Sequence, residues 1–463
     1  MPVNSFDDYP MTWRPQIEKD NRTPYYITIA QTLEKNIREG LLKPNDKLPP
    51  QRELADFLDV NLSTIARAFK LCATKGLISG EIGRGTYIAS DVLANLPMLD
   101  ESGMEQCINM GASHPLYKQN EYVTQLLKKL VKKANISSVL EYAETSGRLA
   151  HRKSGQVWLA RYGLSVPVDR ILITSGLQNS IAIILASLFC FGDKIATNTL
   201  IYPGLKNIAG NLGIQLVPVP YSHGAMDVNT LNQLCRTEGI KGIYLIPNHH
   251  NPTAVTMAAR ERENLAKVIH MHSLICMEDG TYSFLCPNAP KPISALIPEQ
   301  SIYISTISNA LSAGLRIAFV VMPSAYLDRL KTGNNNINVM AAPLDAELVS
   351  QLIDSGLADQ MINEKRAEMK QRNDLVDSYL SAYSVLGDNH AQFRWLKLPK
   401  NWTGLHFESV AREKGVQVFS AERFAVGSAA IASAVRLAIS TPRTVEELEK
   451  GLKIIKELLT DSH

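Results

Sequence analysis

From about residue 110 onward, short apolar runs alternate with stretches of helical periodicity. That alternation restricts the chain to a doubly wound α/β sheet, because each run is too short for a helix and is followed by a helix long enough to cross back. Arg170-Ile171-Leu172-Ile173-Thr174 predicts a strand running into Ser175-Gly176, and Leu177 to Phe191 predicts a helix. Lys194–Thr197, Gln215–Pro218, Gly242–Ile246 and Leu274–Met277 predict further strands. In such sheets the C-terminal ends of the strands form the ligand site.

The first ninety residues follow a different pattern. Ile29, Leu33, Ile37 and Leu41 lie at helical spacing, with Glu34, Lys35 and Arg38 opposite them. The run Lys43 to Pro50 breaks that helix. A second helix is predicted from Gln51 to Leu58, with Leu54, Ala55 and Leu58 as its apolar stripe, and Asp59 to Leu62 is a turn. Ser63 is expected to cap a third helix that runs to about Lys75. Gly76 ends it, and Leu77-Ile78 and Thr86-Tyr87-Ile88 predict a hairpin around residues 81–85. Two short helices joined by a tight turn and followed by a wing describe a winged helix-turn-helix. Arg52, Arg67, Lys70 and Arg84 suit phosphates or base edges, and Ser63 and Thr64 at a helix N-terminus suit phosphate. A small helical domain with ordinary surface charges would carry the same pattern.

Composition narrows the class. The 463 residues suit one small and one large domain, and 45% hydrophobic with 20% charged residues is ordinary for a soluble globular chain. Net charge is only +3, so nucleic-acid binding has to rest on local patches. The six cysteines have no CxxC spacing, which argues against a zinc site or a disulfide framework and fits a reducing, cytoplasmic location. The N-terminus has no signal-peptide pattern, and the most apolar stretch, Ile181 to Phe191, is too short to span a bilayer. The expected organisation is an extension (1–22), a DNA-binding domain (23–90), a linker (91–107) and a large domain (108–463).

The predicted strand ends carry polar groups in a particular order. Ser175-Gly176-Leu177-Gln178 opens a helix whose free N–H groups suit a phosphate. Tyr202 offers an aromatic face. Asn251, then Asp279 and Tyr282, then the segment from Thr306 through Ser308 to Arg316, then Arg436 follow in turn. His114, His249 and His250 lie near strand ends and are read as ordinary core or surface histidines.

The segment Leu42 to Ile88 resembles the GntR-type winged helix. It retains the LP-x-x-R-x-LA core as Leu48-Pro49, Arg52 and Leu54-Ala55, and the G-x-G-T wing as Gly83 and Gly85-Thr86. The family's Ser-Arg at the turn is replaced by Asn61-Leu62, so base preference does not carry over. Residues 108–455 resemble the fold-type I aminotransferases of class I, with a smaller C-terminal α+β subdomain. The combination resembles the MocR subfamily of GntR regulators. The resemblance implies that Gly176, Leu177 and Gln178 hold the phosphate of pyridoxal 5′-phosphate (PLP), helped by Thr306, Ser308 and Arg316. It implies that Tyr202 stacks on the ring and that Asp279 pairs with the ring nitrogen. Asn251 and Tyr282 would bond the ring hydroxyl, and Arg436 would grip a ligand carboxylate. Tyr142 matches the tyrosine that reaches a partner subunit's phosphate, which implies a homodimer.

One departure is chemical. The family motif Ser-Lys-x-Leu-x-Pro-Gly-Leu-Arg places its Schiff-base lysine where this chain has Asn309, in a register fixed by Ser308 and Gly314-Leu315-Arg316. No lysine occurs between Lys291 and Lys331, and Ala313 replaces the motif's proline. An amide is neither that nucleophile nor the proton carrier that transamination needs. Three readings stand open: non-covalent binding of PLP or a PLP–amino acid adduct, binding of another small anion after loss of the cofactor, or an engineered Asn309. The favoured expectation is a regulator that binds operator DNA and senses such a ligand. The alternatives are a PLP-dependent aminotransferase with an accessory domain, and a large domain that serves dimerisation alone.

Overall fold

The computed structural model describes residues 11–17, 23–39, 41–44, 46–81, 85–89, 92, 107–132, 136–222, 224–427 and 431–460. The chain divides into two compact units, residues 1–97 with 422–430, and residues 98–421 with 431–463.

In the first unit, helices α1 (Tyr25–Arg38), α2 (Gln51–Phe57) and α3 (Leu62–Thr74) precede a hairpin of β1 (Ile78–Glu81) and β2 (Gly85–Ile88). Ile29, Ala30, Leu33 and Ile37 are buried on α1, which packs against α3 and its buried Ile65, Ala68, Phe69 and Cys72. The hairpin pairs Ile78 with Ile88 and Glu81 with Gly85, and Lys47 bridges Tyr87 beside it. Two expectations need correction. Leu41 does not extend the α1 stripe: it is 69% exposed, and Leu42 takes the buried place. The chain leaves the helix after Glu39, and both Leu41 and Leu42 donate their N–H to the Asn36 carbonyl. Ser63 is not the cap of α3. Asn61 is extended there and accepts the Thr64 N–H on its carbonyl at 2.8 Å, so Ser63 lies inside the first turn.

The second unit is built on a seven-stranded mixed sheet. Its strands are β3 (Ile171–Thr174), β4 (Lys194–Asn198), β5 (Gln215–Val219), β6 (Ile240–Leu245), β7 (Ile275–Asp279), β8 (Ser301–Thr306) and β9 (Ala318–Val321). Their spatial order is β3-β9-β8-β7-β6-β4-β5, parallel except for β9, which runs against both its neighbours. β3, β8 and β9 are buried along their whole length, as expected where helices cover both faces of a sheet. Helix α4 (Leu177–Leu188) follows β3 directly and buries Ile181, Ile183, Ile184 and Leu185. It stops at Leu188, three residues short of the expected Phe191, because Phe189 is already extended. A buried indole locks a further helix to the sheet: Trp158 Nε1 donates to Ser305 Oγ at 2.9 Å.

A smaller four-stranded antiparallel sheet completes this unit. It comprises β10 (Val385–Leu386), β11 (Phe393–Lys397), β12 (Phe419–Ser420) and β13 (Ala434–Ala438) in the order β10-β11-β13-β12. Helix α5 (Leu357–Leu380) and the helices Gly404–Glu413 and Val445–Thr460 accompany it. The short strand Ile108–Asn109 pairs in parallel with Val416–Gln417. Strands β8, β9 and β11 were not anticipated; Arg394 interrupts the apolar run of β11, whereas β9 lies within the unbroken run Ile317–Met322. Among the described residues, no helix is long and apolar enough to cross a membrane, and no group of acidic, histidine or cysteine side chains is placed to hold a metal ion.

Candidate functional site

The chain after β3 turns sharply at Gly176, whose φ of 87° and ψ of 178° only glycine adopts without strain. The turn leaves the first N–H groups of α4 without intrahelical partners. A Cβ on Gly176 would lie 2.6 Å from the Arg316 guanidinium, so the cation sits directly against this helix start. Arg316 is itself left-handed, with φ 44°, and its Nη1 donates to Ser308 Oγ at 3.0 Å. Thr306 Oγ1 donates to the same Ser308 Oγ at 3.3 Å. Ser175 is held from both sides: its N–H donates to Asn179 Oδ1 at 2.9 Å, and its Oγ accepts from Asn338 Nδ2 at 2.8 Å. Gln178 and Arg316 are exposed, so the cup is open to solvent.

Tyr202 joins this cup to the rest of the site. It precedes the helix Pro203–Asn211 and lies tight against Gly204, where a Cβ would meet the ring at 2.4 Å. Burial and then the charge of Asp279 push its hydroxyl above the ordinary tyrosine value, while a bond with Gln178 and the charges of Arg316 and Arg436 pull it down. One ring therefore feels the charges of Arg316 beside the cup, of the buried acid and of the C-terminal arginine together.

Asp279, at the end of β7, is 2% exposed and surrounded by donors. It accepts from Tyr244 Oη at 2.6 Å, from the Thr281 N–H at 2.9 Å and from Thr281 Oγ1 at 2.5 Å. Burial raises its carboxyl, and these donors oppose the rise. Tyr282 is buried edge-on against Phe393, with ring centroids 5.2 Å apart, and Asn251 Nδ2 lies 3.5 Å from its hydroxyl. Asn251 Oδ1 in turn accepts from Arg436 Nη1 at 2.8 Å. Arg436 Nη2 donates to the Gly111 carbonyl at 2.6 Å, and burial lowers its guanidinium to about 10. Its planar fork is therefore already oriented by protein acceptors.

Asn309 is half-buried on the turn between Ser308 and Leu311. Lys365 on α5 fixes that turn from behind its backbone, donating Nζ to the carbonyls of Asn309 and Leu311 at 3.0 Å each. Burial lowers Lys365 to about 7, so near neutrality its charged and neutral forms coexist, and either can make both donations.

Gly176, Gln178, Tyr202, Asn251, Asp279, Tyr282, Thr306, Ser308, Arg316 and Arg436 are thus linked by hydrogen bonds, close approach or charge, and Leu177 follows Gly176 as the first residue of α4. Tyr142 stands outside this group, 86% exposed. Tyr244, Thr281, Phe393 and Lys365 were missed. Thr281 was open to detection two residues beyond Asp279, whereas nothing in the spacing ties Lys365 to residues 309–311. His250 is a structural histidine, bonded to Thr253 and Asn198 and lowered to about 4 by burial.

In the first unit, α3 turns Ser63, Ala66, Arg67 and Lys70 outward on one face, with Thr64 half-buried, and Arg52 is exposed on α2. Arg84 lies outside the described residues.

Comparison with known proteins separates the two units in the same way. The family Aminotransferase class I and II matches residues 105–455, and Bacterial regulatory proteins, gntR family, matches residues 25–88. The chain is 40% identical over 461 residues to the uncharacterized HTH-type transcriptional regulator YdeF of Bacillus subtilis (strain 168), covering 100% of both chains. It is 22% identical over 367 residues to the HTH-type transcriptional regulator NorG of Staphylococcus aureus (strain N315), covering 72% of this chain and 81% of that one. An archaeal alanine:glyoxylate aminotransferase shares the fold with a TM-score of 0.72 at 22% identity, over 78% of this chain and 93% of that one. A multiple substrate aminotransferase from Thermococcus profundus does so at 0.71 and 20% identity, over 79% and 94%.

The geometry makes two predictions. Gly176→Ala introduces both an unfavourable φ and a contact with Arg316, and should cost about 1–3 kcal/mol of stability in urea denaturation. Combining it with Arg316→Ala should cost less than the sum of the two single changes, and strict additivity would contradict the contact. Lys365 has a lower pKa folded than unfolded, so the unfolded chain binds more protons between its folded value of about 7 and the ordinary 10.5. Stability therefore rises with pH across that window. Lys365→Met should remove this slope in pH-dependent denaturation, and an unchanged slope would contradict the assignment.

Proposed function

The chain belongs to the class I and II aminotransferase family and carries a gntR-family domain ahead of it, the architecture of the MocR transcriptional regulators; from that premise we propose that the second unit senses PLP, a PLP–amino acid adduct or a related small anion without covalent attachment. The observation that carries this reading is the Arg316 guanidinium set against the N-terminus of α4 at Gly176. Two positive ends face the same space, an arrangement favourable when an anion lies between them.

In this reading the phosphate rests on the N–H groups of Gly176, Leu177 and Gln178, with Ser308, Thr306 and Arg316 around it. Tyr202 lies against the ring, Asp279 meets the ring nitrogen, and Asn251 with Tyr282 serves the ring hydroxyl. PLP, when bound, supplies an electron sink. Asn309 stands where the family has its lysine, and its amide neither forms the covalent link nor carries the proton, so turnover is not part of the proposal. Arg436, already aimed by Asn251 and Gly111, receives a ligand carboxylate. Tyr142 serves a partner's phosphate in a homodimer; exposed Leu140, Tyr142, Leu149 and Val157 on neighbouring segments support such a surface. The first unit binds operator DNA through Arg52, Ser63, Thr64, Arg67, Lys70 and Arg84, with the exposed face of α3 in the major groove.

The test is a footprint on the DNA upstream of the protein's own gene, with its salt dependence. Arg67→Ala should weaken binding about tenfold and leave ligand binding intact. Arg436→Ala should do the reverse. A pair of variants that each damage both activities equally would contradict the division of labour.

A further inference from the structure

The loop that follows β6 is bonded to the smaller sheet at Asn251 and again at His249, and the ligand reading uses the first of these. Arg436 Nη1, on β13, donates to Asn251 Oδ1 at 2.8 Å. Two residues earlier in the loop, His249 Nε2 lies 2.7 Å from Asp388 Oδ2, in the connection between β10 and β11. One loop therefore supplies His249 and Asn251, and one sheet supplies Asp388 and Arg436.

Both ends of the second bond are fixed. His249 is fully buried with φ 43°, a left-handed conformation that a residue with a side chain adopts at a cost. Its backbone N–H donates to Thr256 Oγ1 at 3.2 Å. Asp388 Oδ1 accepts the His390 N–H at 2.9 Å, which turns Oδ2 towards the imidazole. Burial raises the Asp388 carboxyl, but the bond and positive charge of His249 outweigh it and hold the group below its ordinary value. The two loops also meet through their backbones. A Cβ on Gly387 would lie 3.2 Å from the Ala254 Cβ and 2.8 Å from Arg394 Cδ. Beyond Asp388 the chain enters β11 at Phe393, and the Arg436 guanidinium lies 5.4 Å from the centre of that ring and 5.8 Å from that of Phe419.

The register of loop against sheet decides where Asn251 Oδ1 stands, and so how the guanidinium plane between the two rings is turned. A charge-assisted bond two residues away fixes that register more firmly than the neutral amide does. We propose that His249 and Asp388 are positioning residues for recognition of a ligand carboxylate, acting through Asn251 on Arg436. The inference rests on the reading of this site as one for PLP–amino acid adducts. It assigns part of the selectivity for the carboxylate to an ion pair that need not touch the ligand.

The experiment measures binding to the full-length protein of N-(5′-phosphopyridoxyl)-L-alanine and N-(5′-phosphopyridoxyl)ethylamine, which differ by the carboxylate alone. The unaltered protein should prefer the alanine adduct. Asp388→Asn, at a side chain 53% exposed, should reduce that preference on the order of fivefold while the ethylamine adduct binds as before. Asp388→Glu keeps the charge and should restore most of the preference. In an Asn251→Ala background Asp388→Asn should have no further effect, because the pair acts through Asn251. An unchanged preference in Asp388→Asn would overturn the proposal. So would equal loss of both adducts, the mark of a merely structural pair, or an additive loss in the Asn251→Ala background. If neither adduct binds the unaltered protein, the ligand reading itself fails and this inference with it.

Discussion

A guanidinium held against the N-terminus of a helix is the contact on which the large unit's site depends. Cations are ordinarily disfavoured there by about 0.3–1 kcal/mol, because the helix dipole is positive at that end. Arg316 nevertheless occupies the position, its backbone in a left-handed turn and its Nη1 fixed by Ser308. The arrangement requires a glycine at 176, since any Cβ would meet the guanidinium. It also requires β3, β8 and β9 to lie side by side, because these strands deliver Gly176, Ser308 and Arg316 to one end of the sheet.

The remainder of the site is organised by acceptors and donors already paired within the protein. Asp279 is ringed by Tyr244 and Thr281, and Arg436 by Asn251 and Gly111. A buried carboxylate and a buried guanidinium each lose hydration, and these bonds replace part of it while fixing their direction. A ligand with complementary charges therefore meets groups that need little reorganisation. Lys365 contributes from the opposite direction, holding the carbonyls of Asn309 and Leu311 so that the turn beside the cup keeps its shape.

Much of this was legible from the residues in order along the chain. Strands β3 to β7, the helix starting at Leu177 and the residues at the strand ends follow from short apolar runs bounded by polar or glycine residues. Strands β8 and β9 were not read, although Ile302–Ile304 and Ile317–Met322 are apolar runs of the kind that mark β3; full burial leaves no alternation to add to that signal. The helix-turn-helix was readable to within two residues. The displaced cap, Asn61 for Ser63, and the exposed Leu41 reflect local backbone geometry that periodicity does not encode. Long-range pairs such as Lys365 with Asn309, or Trp158 with Ser305, bring together residues far apart in the chain and have no local signature.

Non-covalent recognition of PLP is the central claim, and titration with PLP followed by visible absorbance and circular dichroism tests it most directly. Induced optical activity should appear in the unaltered protein, disappear on dialysis and resist fixation by borohydride. The Asn309→Lys protein should be fixed covalently under the same treatment. Absence of any signal at near-millimolar PLP would contradict the claim and direct the search to other anions. Covalent fixation in the unaltered protein would contradict it differently, by assigning the nucleophile to a lysine outside the motif.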